Sequence, residues 1–171
     1  DFGIIASSEI TNRYWKDCYK GILRTNFVIA NEQTMLDNMT AVSDYSLVDI
    51  DQAVGEAHFL RGFYYFLLVK RYGGVPLSLE FPELEGLSRS TEDETYIQVI
   101  ADFKKASELL NDKSAVASGR VSKGAALGML GKANLFRENY KEAKVALEKI
   151  NVGREQLIKM IVESAQHETL K

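Results

Sequence analysis

Trp15 stands among Asn12, Arg13, Tyr14 and Tyr19, a group with the chemistry to hold a sugar. An aromatic face stacks on the C–H face of a sugar ring, while amide and guanidinium groups bond its hydroxyls. Trp15, Tyr19 and Asn12 are therefore the candidate ligand contacts. The competing expectation is that Trp15 packs inward, as a tryptophan on an amphipathic helix usually does. The other reactive residue types assemble into nothing. His58 and His167 are the only histidines and have no metal-ligand spacing, so neither a metal site nor a cofactor is expected. Glu92, Asp93 and Glu94 look like clustered carboxylates, but three acids opening a helix complement its dipole. Gly73-Gly74 lacks the Gly-Lys-Ser/Thr that follows in a phosphate loop. Cys18 is the single cysteine; it can form no internal disulfide and is expected as a buried thiol. His58 is expected to be structural, and Arg61 to pair inside the fold with an acid or with carbonyl groups. No catalytic residues emerge, and the chain does not read as an enzyme.

The elements that position these residues are helical. The chain has 171 residues, 46% of them hydrophobic and 26% charged, which allows one globular domain with a real core. Its net charge of −3, with acids and bases interspersed, argues against a nucleic-acid partner. Ile10, Tyr14, Cys18, Ile22 and Ile29 recur at helical spacing, widened by Trp15, Tyr19, Leu23 and Phe27, and predict a helix over about 8–31. Residues 32–51 read as a connection with one helical turn near Met35 to Met39. A second helix, about 51–72, is apolar nearly all round and must be buried by neighbours on several sides. Gly73-Gly74 closes it and Pro76 forbids its continuation. After a linker to Arg89, Thr91 and Glu94 form a capping box for a third helix over about 92–111. Tyr96, Val99, Ile100, Phe103, Ala106 and Leu110 make its apolar face. Ser122 is expected to cap a fourth helix, 123–137; Glu138-Asn139 turns the chain into a fifth, 140–150.

The last two helices match the tetratricopeptide pattern: Leu130-Gly131, then Tyr140, Ala143, Leu147 and Ile150. Gly131 and Ala143 are expected to face each other where the pair touches. The second and third helices are expected to form another pair, with 73–90 inserted between them. The fold class is therefore all-α, with tetratricopeptide-like helical pairs forming an α-α superhelix.

An aromatic-rich buried helix ending Arg71-Tyr72-Gly73-Gly74-Val75-Pro76-Leu77 resembles the signature of the SusD/RagB family. Three further blocks agree in order: Trp15…Tyr19…Ile22…Asn26; Arg89-Ser90 through Tyr96 and Asp102-Phe103; and Arg120 to Ala126 through Tyr140 to Ala143. The resemblance covers roughly residues 10–150. It implies a nutrient-binding, surface-exposed lipoprotein of the outer membrane that takes a glycan and works beside a SusC-like TonB-dependent transporter. It also implies a signal peptide and a lipidated cysteine, neither of which is in this chain, which starts Asp1-Phe2-Gly3. Family members are longer, and much of their ligand-binding surface comes from loops and a C-terminal portion. Glycan binding by this chain alone is thus expected to be weak or absent. Residues 1–150 are assigned to the helical domain and 151–171 to a helical tail, in which Arg154 to Leu170 faintly resembles a later family helix. The alternative reading is a helical-repeat protein–protein scaffold without a small ligand.

Overall fold

The computed structural model describes residues 9–39, 46–82 and 86–150. The 151–171 assignment, His167 and the chain start lie outside them. Among the described residues six α-helices follow in order: α1 Glu9–Ala30, α2 Glu32–Asn38, α3 Leu47–Tyr72, α4 Glu92–Leu109, α5 Lys123–Phe136 and α6 Tyr140–Glu148. A single 3-10 turn, Lys113–Ala115, lies in the α4–α5 connection. No strand occurs among the described residues. The fold is all-α.

The helix ends follow from local chemistry. α3 begins earlier than expected, because Ser46 and Asp49 make a capping box in which each side chain bonds the other's backbone amide. Thr91 and Glu94 make the expected box for α4. Ser122 stands at the N-cap of α5 in extended backbone, but its hydroxyl makes no cap hydrogen bond. Gly73 closes α3 at φ 69°, its N–H donating to the Val69 carbonyl at 2.9 Å. Lys70 and Arg71 in the last turn complement the negative end of the dipole. The tight α5–α6 turn puts Glu138 at φ 58°, a left-handed conformation at which two helices reverse within three residues.

α3 is the hub, packed on α1 and on α4; α5 then packs on α4, and α6 on α5. α1 and α3, α3 and α4, α4 and α5, and α5 and α6 run antiparallel. Tyr72 reaches Thr11 and Arg61 reaches Asn26 between α3 and α1, and Arg137 after α5 reaches Asp93 on α4. One apolar cluster lies where the four longer helices meet, with Ile22, Tyr65, Leu68, Val75, Val99 and Phe103 almost wholly buried. Ile10 departs from expectation and is 76% exposed. Thr11 already meets Tyr72, the last residue of α3, so among the described residues no helix faces the first turn of α1.

The α5–α6 contact is close. A Cβ placed on Gly131 would lie 2.6 Å from Leu147 Cγ. The side chain nearest Gly131 is therefore Leu147, one turn along α6 from the expected Ala143, which is itself buried. Side chains on a helix lean toward its N-terminus, so Leu147 reaches back over the turn that Ala143 occupies.

Candidate functional site

Arg61 sits midway along α3, in a helix buried on both flanks, so its charge needs a partner inside the protein. Asp102 on α4 supplies it. Arg61 Nε and Nη2 donate to Asp102 Oδ2 and Oδ1 at 2.9 and 2.7 Å, a planar two-bond pairing. The side chains are only 7% and 2% exposed. His58, one turn before Arg61, brings Nδ1 to 2.8 Å from Asp102 Oδ1. Burial is the largest influence on the Asp102 carboxyl and pushes its pKa up. The hydrogen bonds from His58, Arg61 and Gln98 and the Arg61 charge together outweigh burial, and the pKa lies below its ordinary value.

The remaining Arg61 nitrogen turns to the other side of α3. Nη1 donates to Asn26 Oδ1 on α1 at 3.0 Å and to the Leu79 carbonyl at 3.4 Å. Asn26 Nδ2 in turn donates to the carbonyls of Ser78 and Glu80. Tyr65 donates its hydroxyl to the Ser78 carbonyl and accepts from the Ser78 amide, both at 2.8 Å. Tyr19 donates to the Pro76 carbonyl at 2.6 Å. Along the segment from Val75 to Glu80, Val75 donates its N–H to Thr95 Oγ1 on α4 and accepts from the Ser90 N–H, both at 3.3 Å; from Pro76 to Glu80 it is α1 and α3 side chains that bond the backbone. At its start, Arg89 Nε donates to the Gly74 carbonyl at 2.6 Å and Nη2 to the Tyr72 carbonyl. Gly74 must be glycine, because a Cβ there would lie 2.0 Å from the Ser90 carbonyl oxygen. Among the described residues no buried side-chain nitrogen or oxygen lacks a hydrogen-bond partner. The network is saturated by the protein itself; its chemistry is to hold a linker in place, not to receive a ligand.

The candidate sugar contacts lie further toward the start of α1. Trp15 packs at 5.0 Å from Tyr19, tilted by 35°, and edge-on at 5.1 Å from Tyr72. It is half-buried against the main core, as is Tyr19. The structure thus brings Trp15 and Tyr19 together, with the Tyr19 hydroxyl spent on Pro76. Asn12 is exposed and borders a shallow polar depression with Arg13, Lys16 and Asp17. Tyr14 adds an aromatic face covered by the Arg71 guanidinium at 4.9 Å. Burial raises the Tyr14 hydroxyl pKa, and neighbouring Cys18 adds to this. Cys18 is a free, buried thiol whose pKa is likewise raised by burial and then by Asp17. Of the acids opening α4, Glu94 closes the capping box and Asp93 pairs with Arg137.

Beyond their place in the family blocks, Asn26 and Asp102, at the centre of the arrangement, carry a signal of burial in the sequence. Both are polar residues at buried positions of an apolar helical stripe, Asn26 one turn after Ile22 and Asp102 between Val99 and Phe103. Such positions demand partners.

Comparison with known proteins sharpens the picture. The SusD-like family described as starch-binding associating with outer membrane matches residues 4–135. SusD-like protein P2 of Formosa agariphila is 27% identical over 139 residues, 78% of this chain and 26% of that protein. A SusD-like protein of Bacteroides fragilis superposes with a TM-score of 0.69 at 27% identity, over 87% of this chain and 28% of the other. A laminarin-binding SusD-like protein superposes with a TM-score of 0.62 at 28% identity, over 81% and 29%. The chain spans about a quarter of the length of the curated relatives it matches.

Proposed function

The chain belongs to the SusD-like family, and from that premise we propose that it supplies the helical scaffold of a glycan-binding lipoprotein on the outer-membrane surface. In this reading the lipoprotein delivers oligosaccharide to a SusC-like TonB-dependent transporter. The observation that carries the proposal is the family match over residues 4–135, most of the helical pile. A relative of 28% identity that binds laminarin supports a glycan as the ligand class. The saturated core and the pinned linker suit a rigid support against which a transporter packs, with loops outside this chain closing on the sugar. No helix of the described residues is long and apolar enough to cross a membrane, which fits attachment through a lipid.

We further infer that none of Asp102, Asp49 and Glu94 serves as a glycosidic acid. A glycosidic acid needs a protonated carboxyl near neutral pH. Asp102 is buried with its pKa lowered, and the pKa values of Asp49 and Glu94 are lowered by hydrogen bonds to Ser46 and Thr91 in the capping boxes. Any sugar contact from this chain would come from Trp15, with Asn12 and the ring of Tyr19 beside it. The test is co-purification of the chain with a TonB-dependent barrel from outer membranes, with calorimetry against laminarin and starch oligosaccharides. Recovery of the barrel is expected, with little heat from either glycan for the chain alone. Recovery of soluble proteins without any barrel would instead support the glycan-free scaffold.

A further inference from the structure

The outer face of α1 is open among the described residues: Arg13, Lys16, Lys20, Arg24 and Phe27 are all exposed. At about 100° per residue these five fall within an arc of about 80°, and at about 1.5 Å per residue Arg13 to Phe27 spans about 21 Å. Glu9 and Asp17 share the face, and Asp17 stands 3.7 Å from both Arg13 and Lys20. Those pairs lie in water and hold their partners weakly. Four cations against two acids leave the face positive in a chain of net charge −3. Arg13, Lys16 and Lys20 rim a shallow depression of about 300 Å³, which Glu9, Asn12 and Asp17 also line. Just beyond Arg24, Phe27 is 51% and Phe81 40% exposed, their rings edge-on at 5.1 Å.

We propose that this face of α1 rests on an anionic lipid surface, with its cations against headgroup phosphates and the Phe27–Phe81 pair entering the headgroup layer. Charge complementarity selects an anionic partner, and the aromatic end selects lipid. Leu79, Phe81 and Pro82 follow one another there, all but one of the four residues 79–82 being apolar and all four exposed. Asn26, beside Phe27, bonds the Ser78 and Glu80 carbonyls and Arg61, and is not available to sugar hydroxyls. An interface gives exposed rings an apolar layer beneath its phosphates. Glu80, next to Phe81, leaves that end to hold by its rings, and the charge acts from Arg13 to Arg24. The negative charge of the whole chain does not oppose this. At physiological salt a field fades over about 8 Å, so the acids of α4, which α3 separates from α1, are screened from the contact. Each basic side chain near such a surface strengthens binding roughly fivefold. The inference rests on the lipoprotein reading above: an acyl anchor holds the chain at the bilayer, and the basic face fixes which side turns to it.

The test is flotation of the full chain with vesicles of phosphatidylglycerol and phosphatidylethanolamine, against vesicles of phosphatidylcholine, at low and at physiological salt. Binding to the anionic vesicles alone is expected, weaker at the higher salt. Lys20→Gln with Arg24→Gln should weaken it roughly 25-fold, at roughly fivefold per cation. Lys104→Gln with Lys105→Gln, exposed on α4, changes the net charge equally and should leave binding unchanged. Phe27→Ala should weaken it at both salt concentrations, since entry of a ring into the interface is not screened. Circular dichroism checks that each variant is folded. Absence of binding to the anionic vesicles would overturn the proposal, as would an equal loss from the α4 pair. Stronger capture by a soluble polyuronate than by the vesicles would assign the face to an acidic glycan and overturn it as well. Barrel recovery without vesicle binding refutes this inference alone; vesicle binding without barrel recovery refutes the transporter reading alone.

Discussion

Replacing Asp102 with asparagine should unfold this protein more readily than any change of similar size on its surface. The substitution keeps the shape and removes the charge. Arg61 Nε and Nη2 now both point at Asp102 oxygens; in Asp102→Asn one of them meets an amide NH2. The guanidinium, 7% exposed, keeps one neutral oxygen at position 102, Asn26 and the Leu79 carbonyl, and no negative charge. Breaking a buried pair on one side costs about 3–5 kcal/mol, because a charge is left inside without compensation. For a chain of this size each kcal/mol moves Tm by about 2–4 °C, so a fall of about 6–20 °C is expected. Urea unfolding followed by circular dichroism at neutral pH measures it. The pH dependence gives a second check. The Asp102 pKa is lowered in the fold, so its contribution is present above the unfolded value of about 3.9 and is lost as pH falls through the folded value. The stability gap between the native chain and Asp102→Asn should therefore hold from neutral pH down to about 4 and close below it. A gap under about 1 kcal/mol at neutral pH, or one that stays constant down to pH 2, would refute the claim that this pair is desolvated and charged. Asp102→Leu with Arg61→Met should be milder than Asp102→Asn, since no charge is then stranded.

Arg120→Ala removes a pair with Glu56 whose arginine is 47% exposed, and should cost less than about 1 kcal/mol, less still in high salt; urea midpoints at two ionic strengths test this. Gly131→Leu should cost roughly 1–3 kcal/mol by overpacking, since Leu147 already stands where the new side chain would begin; an unchanged Tm would contradict the α5–α6 assignment. Gly74→Ala should do more harm than Gly131→Leu, because its Cβ meets the Ser90 backbone and neither side can yield without moving the start of α4; comparison of the two melting temperatures decides it. Trp15→Ala should abolish whatever weak glycan heat the chain gives, whereas Tyr19→Phe should spare it and loosen the linker instead, seen as faster proteolysis at 75–82. Tight glycan binding that survives Trp15→Ala would remove the first helix from the sugar site.

The helices were legible because their signals are local. Apolar spacing, the Thr91–Glu94 box, the Gly73-Gly74 stop and the Glu138-Asn139 turn each act within a few residues, and each stands where the chain places it. The start of α3 is less legible: Asp49 stands where the box usually has Glu or Gln, and the apolar spacing alone points to a start near residue 51. The linker shows where local signals stop. Nothing in Val75-Pro76-Leu77-Ser78-Leu79 specifies a conformation; its shape comes from Asn26, Arg61 and Tyr65, dozens of residues away for the first and on other elements for all three. Arg61 was expected to find an acid or carbonyl groups and finds both, but the identity of the acid depended on the register of α3 against α4. That register is set by close approaches such as Gly62, whose Cβ position lies 3.1 Å from Asp102. A glycine there lets α4 come near enough for a two-bond pairing, and a larger residue would hold the carboxylate away from the guanidinium. The small residue and the buried charge are thus one device. The same logic explains why Trp15 is ambiguous in the sequence. Its half-burial depends on Tyr72 at the far end of α3, and the same contacts that fix its ring for packing would also fix it for a sugar.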